Sequence, residues 1–163
     1  MKSDQRSPTM NETHQLSERT GARLAPVKAL VLFDGVCGLC NKFVQFVLNH
    51  DSQGRFHFAS LQSDLARELL ARHGKNPELL KTVYLVINPG TSDEKLYSKS
   101  AAALRIFGEL EGPTKALKVF LIVPAPLRNV GYDLVAAVRY KIFGKSDTCP
   151  LPKASDRARF LDV

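Results

Sequence analysis

The sequence lacks the features that mark disulfide-rich secreted domains and membrane proteins. Its 163 residues contain only three cysteines, too few for a secreted scaffold held by several disulfides. No N-terminal apolar run precedes a small-residue cleavage site, so we expect no signal peptide. No apolar segment approaches the roughly 20 residues of a membrane span, and the longest candidate, residues 119–127, contains Pro124 and Pro126. These absences indicate a soluble protein in a reducing compartment, and we expect a cytoplasmic location.

Acidic residues are also scarce. Sixteen Asp and Glu residues stand against 23 Lys and Arg residues, which gives a net charge of +7. Most of the excess lies in residues 113–163, which hold nine basic and four acidic side chains. The simplest interpretation is a solvated basic surface, and the alternative is a contact site for an acidic partner or a membrane surface. Nucleic acid is not favoured as a partner, because no reading motif and no basic run interleaved with aromatic residues occurs.

By composition the chain divides into a tail and one domain. Residues 1–27 are polar and aperiodic and contain no aromatic side chain. Such a segment buries too little apolar area to offset the entropy lost on ordering, so we predict a disordered N-terminal tail. Residues 28–163 are long enough for one domain with its own core.

The most informative stretch joins an apolar strand to two cysteines. Residues 30–33 are uniformly apolar, which predicts a strand covered on both faces, and the Asp34-Gly35 turn ends it. Residues 41–48 carry apolar side chains at helical spacing, which predicts a helix over 38–49. Cys37 then lies at the start of the helix and Cys40 one turn further on. Residues three apart share a helix face, so the two sulfurs can meet and form a disulfide.

This placement suggests different roles for the two thiols. A helix N-terminus carries partial positive charge and unpaired N–H groups, which lower the pKa of a thiol held there. Cys37 is therefore the expected attacking thiolate. Cys40, one turn inside the helix, is expected to be less accessible, with a higher pKa, and to resolve the mixed disulfide.

Metal binding is the competing interpretation of the pair. A structural zinc site needs four ligands. The sequence has no second Cys-x-x-Cys, and the spacing of His50 and His57 after Cys40 misses the usual zinc-finger pattern. The strand–turn–helix context favours redox chemistry. A non-catalytic module that holds zinc or an iron–sulfur cluster, or that acts as an adaptor, stays open.

The remaining elements follow the same rules of periodicity and turn chemistry. We predict strands over 56–60, 82–87 and 95–98, the last two forming a hairpin. Helices are predicted over 64–73, with Ser63 as N-cap, and over 101–110, with Ser100 as cap. The first strand, helix and second strand make a βαβ unit with parallel strands. The order is β-α-β-α-β-β-α, followed by helical segments at about 114–122 and 127–143.

The Asp34-x-x-Cys37-x-x-Cys40 signature after an apolar strand resembles the DCC family of predicted thiol–disulfide oxidoreductases, which are related to thioredoxins. The likeness continues through residues 56–62, 98–106 and 127–144 and covers roughly residues 28–160. It implies an α/β fold with a thioredoxin-like core and an added C-terminal helical segment. The implied activity is exchange with a protein or small-molecule thiol or disulfide. It needs no bound cofactor but implies an electron donor, such as glutathione or a thioredoxin system.

Several residues near the cysteines are candidates for supporting roles. Asp34 is either a turn residue or a carboxylate that handles the thiol proton. A role in stabilising the Cys37 thiolate is not expected, because a nearby carboxylate raises rather than lowers a thiol pKa. Gly35 and Gly38 are expected to allow a tight turn and close substrate approach. Thioredoxin relatives place a cis-proline before the third core strand. Here Thr82 is the candidate for that substrate-binding position, or else a plain strand residue.

Three residues near the C-terminus are left with two interpretations each. Cys149 is either a loop cysteine without a redox role or a third, resolving thiol. Arg139 and Tyr140 match an Arg-Tyr feature of the family that the chain resembles. They either anchor the last helix or line the site.

Overall fold

The computed structural model describes residues 24, 26–75, 82–144 and 155–162. Its strands are β1 (Ala29–Phe33), β2 (Phe56–Ser60), β3 (Tyr84–Ile87), β4 (Lys95–Ser98) and β5 (Phe160–Asp162). Its α-helices are α1 (Gly38–His50), α2 (Asp64–Arg72), α3 (Lys99–Glu109) and α4 (Ala125–Phe143). Two 3₁₀ helices, Pro113–Ile122 and Arg157–Arg159, complete the elements.

The strands form one mixed sheet in the order β4-β3-β1-β2-β5. Central β1 pairs in parallel with β2 and antiparallel with β3, and β3 and β4 form the antiparallel hairpin. All five residues of β1 are buried because helices cover both faces of the sheet. The predicted α/β fold with a thioredoxin-like core and C-terminal helices is confirmed. The sequence analysis did not predict β5, whose three residues join the edge of β2.

Alternating side chains of the sheet build a core on each face. On one face, Val31 and Phe33 pack with α1 and α3. On the other, Leu30 and Leu32 pack with α2. This layered arrangement places the N-terminus of α1, and with it the cysteine pair, directly after the carboxyl end of the central strand.

The N-terminal boundary of the domain lies earlier than predicted. Leu24 and Val27 are buried in the core shared with α2, where they cover apolar side chains of the sheet. The prediction that the tail extends to residue 27 is therefore wrong for these two residues. Residues 1–23 lie outside the described residues, and their disorder stays a prediction.

Local capping explains where the helices begin. Ser63 caps α2 as predicted, and its hydroxyl accepts a hydrogen bond from the backbone N–H of Ala66 at 3.2 Å. The prediction of Ser100 as a cap is wrong, because α3 begins at Lys99. The hydroxyl of Ser100 instead bonds the side chain of Asn129 on α4. This contact helps to dock α4 beside α3.

The last two predicted helical segments differ in type and length from expectation. Residues 113–122 form a 3₁₀ helix, and α4 begins two residues early, at Ala125. Pro126 is tolerated in the first turn because a backbone N–H there has no helical partner in any case. Within the described part of the chain, no helix combines the length and apolar character needed to cross a membrane.

Candidate active site around Cys37 and Cys40

The two cysteines lie one helical turn apart, as predicted. Cys37 is the N-cap of α1 with extended backbone, and its Sγ accepts a hydrogen bond from the backbone N–H of Cys40 at 3.4 Å. Both residues are free cysteines. A sulfur that takes up an unpaired N–H group of the first turn lies where negative charge is best stabilised on a helix.

The exposure of the two thiols is the reverse of expectation. Cys37 has 0% exposed surface, whereas Cys40 is partly exposed. The prediction that Cys40 is the less accessible thiol is therefore wrong. A non-local contact lies beside Cys37, because the end of α4 packs against Gly38, the next residue. The N–H of Gly38 donates to the carbonyl of Gly144 at 3.4 Å.

The predicted higher pKa of Cys40 is confirmed. The pKa of Cys40 is raised to about 12, first by burial, then by its hydrogen bond with Cys37 and by the charge of Cys37. The positive charge of Arg139 opposes this rise. Cys40 is thus the member of the pair that holds its proton at neutral pH.

Arg139 brings a buried positive charge to the pair from α4. Its side chain is almost fully enclosed, and Nη1 donates to the Cys40 Sγ at 3.3 Å. Nη2 donates to Oδ2 of Asp34 at 3.1 Å, in an ion pair whose two side chains are 3% and 4% exposed. Arg139 contacts the cysteine pair and also ties α4 to the end of β1, so the structure fits both of its predicted interpretations. The side chain of Tyr140 and all of Cys149 lie outside the described residues.

Asp34 serves as a turn residue and also as the counter-ion of Arg139. Its Oδ1 accepts hydrogen bonds from the N–H of Val36 at 3.3 Å and from Nε2 of Gln62 at 3.1 Å. Gln62 also accepts from the N–H of Gly35 at 3.3 Å. Sequence reasoning missed Gln62, because only the fold brings the end of β2 beside the turn after β1. Asp34 is thereby fixed beside Arg139, whose other nitrogen bonds Cys40.

Gly38 allows close packing with the end of α4, and Gly35 lies in the turn between β1 and α1. Neither Gly35 nor Gly38 has a positive φ, and the predicted tight turn is present, because the N–H of Cys37 donates to the carbonyl of Asp34 at 3.1 Å. At Gly38 a Cβ would lie 2.3 Å from the carbonyl oxygen of Phe143. Close backbone approach is therefore present, but the approaching group is the chain's own helix end. Substrate contact at both glycines stays a prediction.

Thr82 lies just before β3 and joins that strand to α4. Its buried hydroxyl donates to the Tyr132 oxygen at 2.7 Å, and the N–H of Val83 donates to the same oxygen at 3.1 Å. Burial raises the pKa of Tyr132 above its ordinary value. The contact holds the middle of α4 against the sheet. A substrate-binding role for Thr82 stays a prediction.

The described part of the chain offers little for a metal ion. No group of three or more His, Cys, Asp or Glu side chains among these residues is arranged to hold one. The geometry around Cys37 and Cys40 instead joins a thiol pair to a buried ion pair. A positive charge beside a thiol favours formation of the thiolate, which is the reactive form of cysteine.

Comparisons with known proteins agree with this geometry. The family model for the DCC1-like thiol-disulfide oxidoreductases matches residues 31–145, a span that contains Asp34, both cysteines of the pair and Arg139. The uncharacterized protein YuxK of Bacillus subtilis (strain 168) is 39% identical over 132 residues, which cover 81% of this chain and 93% of that protein. A DCC family protein of Arabidopsis thaliana, named as chloroplastic, is 40% identical over 125 residues, which cover 76% of this chain and 70% of that protein. No solved structure matches the chain significantly. Because the family model matches residues 31–145, more than half of the chain, and both relatives are about 40% identical to it, this chain belongs to the DCC1-like thiol-disulfide oxidoreductase family.

Proposed function

We propose that the chain catalyses thiol–disulfide exchange through Cys37 and Cys40. The observation that carries the proposal is the hydrogen-bonded pair itself, with the Cys37 sulfur at the helix N-cap and the Arg139 guanidinium beside Cys40. The family name supports the same class of reaction. The direction in the cell follows from the reduction potential of the pair.

Ionisation and access favour different cysteines as the attacking group. A thiol with a pKa of about 12 is ionised at neutral pH in roughly one molecule in 10⁵. Cys37 is buried, but a local opening can expose a buried group without unfolding the core. Ionisation therefore outweighs access, and we assign the first attack to Cys37.

The reaction then runs in two balanced steps. The Cys37 thiolate attacks a substrate disulfide R–S–S–R′, forming a mixed disulfide with R and releasing R′–S⁻. The charge of Cys37 is one cause of the raised pKa of Cys40, and formation of the mixed disulfide removes it. Cys40 now loses its proton more readily and attacks the Cys37 sulfur. The products are R–S⁻ and a Cys37–Cys40 disulfide, which a thiol donor such as glutathione or a thioredoxin system reduces again.

Arg139 and Asp34 have separate roles in this scheme. Arg139 contacts the reacting sulfur of Cys40, and its positive charge stabilises the thiolate that forms in the second step. Asp34 acts as a positioning residue, because it holds the guanidinium through the buried ion pair. Direct proton transfer by Asp34 stays a prediction.

Exchange can be tested with the full chain and 2-hydroxyethyl disulfide. We expect the reduced protein to consume the disulfide and to gain an internal Cys37–Cys40 disulfide, seen as a mass loss of two hydrogens. Cys149→Ser should behave in the same way, because the proposed exchange uses only Cys37 and Cys40. Turnover by neither form, together with near-stoichiometric zinc or iron that is lost on Cys37→Ser substitution, would overturn the proposal in favour of a metal-binding module.

We propose a cytoplasmic location and a protein or small-molecule substrate. The name of the Arabidopsis relative places that protein in the chloroplast. A fluorescent fusion of the full chain in its native cell is the measurement that decides the location.

A further inference from the structure

An apolar cleft of about 160 Å³ opens beside the Cys40 sulfur. It lies between α1, α3 and α4, and side chains of the sheet form its floor. The apolar side chains that line it on the three helices are Leu39, Phe43, Ala103, Phe107, Val135 and Ala136. Val135 is half exposed, so the cleft can be reached from solvent.

The few polar groups on the cleft wall already have partners. Tyr132 accepts hydrogen bonds from Thr82 and Val83. Among the described residues that line the cleft, Arg139 is the one charged side chain, and it is paired with Asp34. The thiol of Cys40 is the reactive group on the wall. A ligand in this cleft would therefore be recognised by shape and apolar contact rather than by its charge.

The size and rigidity of the cleft limit the group that it can hold. An apolar cavity of roughly 150 Å³ accommodates a benzene ring. Phe43 and Phe107 meet edge to face, with ring centroids 5.5 Å apart, and give the cleft a firm wall. Ala103 and Ala136 contribute only methyl groups, and larger side chains at these positions would fill the space. Protein interiors are close-packed, so an open apolar space beside a reactive sulfur indicates a binding site.

We propose that the substrate thiol or disulfide carries a compact apolar group next to its reacting sulfur, and that this group binds in the cleft. The inference rests on the proposed exchange function and names its substrate class, which is an aryl-methyl or branched-alkyl sulfur compound. Cys40 forms part of the cleft wall and is hydrogen-bonded to Cys37. A substrate sulfur at the inner end of the cleft would therefore lie next to the Cys40 thiol, one helical turn from Cys37.

The test compares two disulfides that differ in the group beside sulfur. Dibenzyl disulfide with a solubilising group remote from sulfur is compared with 2-hydroxyethyl disulfide. Each kcat/KM is divided by the rate of the same disulfide with free dithiothreitol, which removes the difference in intrinsic reactivity. We expect at least a tenfold preference for the benzyl compound. Equal corrected values would overturn the inference while leaving exchange intact, whereas no turnover of either disulfide would overturn both.

Variants that fill the cleft test whether the preference for the benzyl compound arises there. Ala136→Leu and, independently, Ala103→Leu should reduce the preference to less than threefold, mainly through a higher KM for the benzyl compound. Ala137→Leu is the matched control, because Ala137 is exposed on the same helix and should keep the full preference. A preference that survives both cavity-filling variants would contradict the inference.

A second readout does not depend on catalysis. Benzyl alcohol titrated into the Cys37→Ser protein should shift the NMR resonances of Phe107 and Ala136, and Ala136→Leu should abolish the Phe107 shift. Shifts confined to residues outside the cleft would contradict the inference.

Discussion

Arg139 donates a hydrogen bond from Nη1 to the Cys40 Sγ at 3.3 Å, although 99 positions separate the two residues in the chain. The same guanidinium pairs with Asp34 at the carboxyl end of β1. The helix that follows the thioredoxin-like core is therefore part of the candidate active site. The pKa of Cys40 therefore depends on α4, because the positive charge of Arg139 lowers it.

Replacing Arg139 should lower both the free energy of unfolding and the rate of exchange. Arg139→Met leaves the carboxylate of Asp34 buried without its guanidinium, and removing one partner of a buried pair costs about 3–5 kcal/mol. We expect a loss of that size in urea unfolding. The matched control is Lys99→Met, which removes the exposed Lys99–Asp133 pair and should cost less than about 1 kcal/mol.

The chemical effect of Arg139 can be separated from its effect on folding. Arg139→Lys keeps the positive charge but cannot bond Cys40 and Asp34 with one rigid fork. In the fraction that is folded, the second step should slow and a mixed disulfide should accumulate, detected by mass after an acid quench. Unchanged resolution in this variant would show that Arg139 only anchors α4.

A side chain at position 38 should uncover Cys37. The Cβ of Gly38→Ala would meet the Phe143 carbonyl oxygen at 2.3 Å, so the end of α4 has to move away. We expect several-fold faster alkylation of Cys37 by iodoacetamide and lower stability. Gly131→Ala, where a Cβ meets nothing within 4 Å, should leave the alkylation rate unchanged. Equal Cys37 rates in all three proteins would mean that α4 does not limit access.

The pKa of Cys40 should fall when Cys37 no longer carries charge. Hydrogen bonding to Cys37 and the charge of Cys37 help to hold the Cys40 pKa near 12. In Cys37→Ala both causes are absent, while burial, the largest cause, remains. The thiolate fraction of Cys40 at any pH below its pKa should therefore be larger in the variant. Alkylation of Cys40 between pH 7 and 10 should be faster in Cys37→Ala than in the parent, and a slower rate would contradict the account.

Truncation should define the start of the domain. Removing residues 1–23 is expected to leave the urea midpoint unchanged, because this segment is polar and aperiodic. Removing residues 1–27 also deletes Leu24 and Val27, which are 0% and 4% exposed. Burial of each such side chain contributes about 1.5–3 kcal/mol, so the longer truncation should lose several kcal/mol. Equal stability of the two truncated proteins would place the boundary after residue 27, as the sequence first indicated.

Local signals predicted most of the fold and half of the site. The strand before Asp34 and the helix after Cys37 follow from periodicity and capping, which are properties of neighbouring residues. The contact between Gly38 and the end of α4 could not be predicted, because the two segments are distant in the chain. The same holds for Gln62, which meets Asp34 only after β1 and β2 pair. These contacts join distant segments, and periodicity carries no information about them.

The most direct test of the account is covalent trapping by single-cysteine variants of the pair. Both are made in a Cys149→Ser background, so that one thiol remains in each. The Cys40→Ser form, which keeps Cys37, should attack 2-hydroxyethyl disulfide and stall as a mixed disulfide that is visible by mass without reductant. The Cys37→Ser form should trap almost nothing at neutral pH. If the adduct instead accumulates on Cys40 in Cys37→Ser and not in Cys40→Ser, access rather than ionisation selects the attacking thiol, and the proposed roles are contradicted.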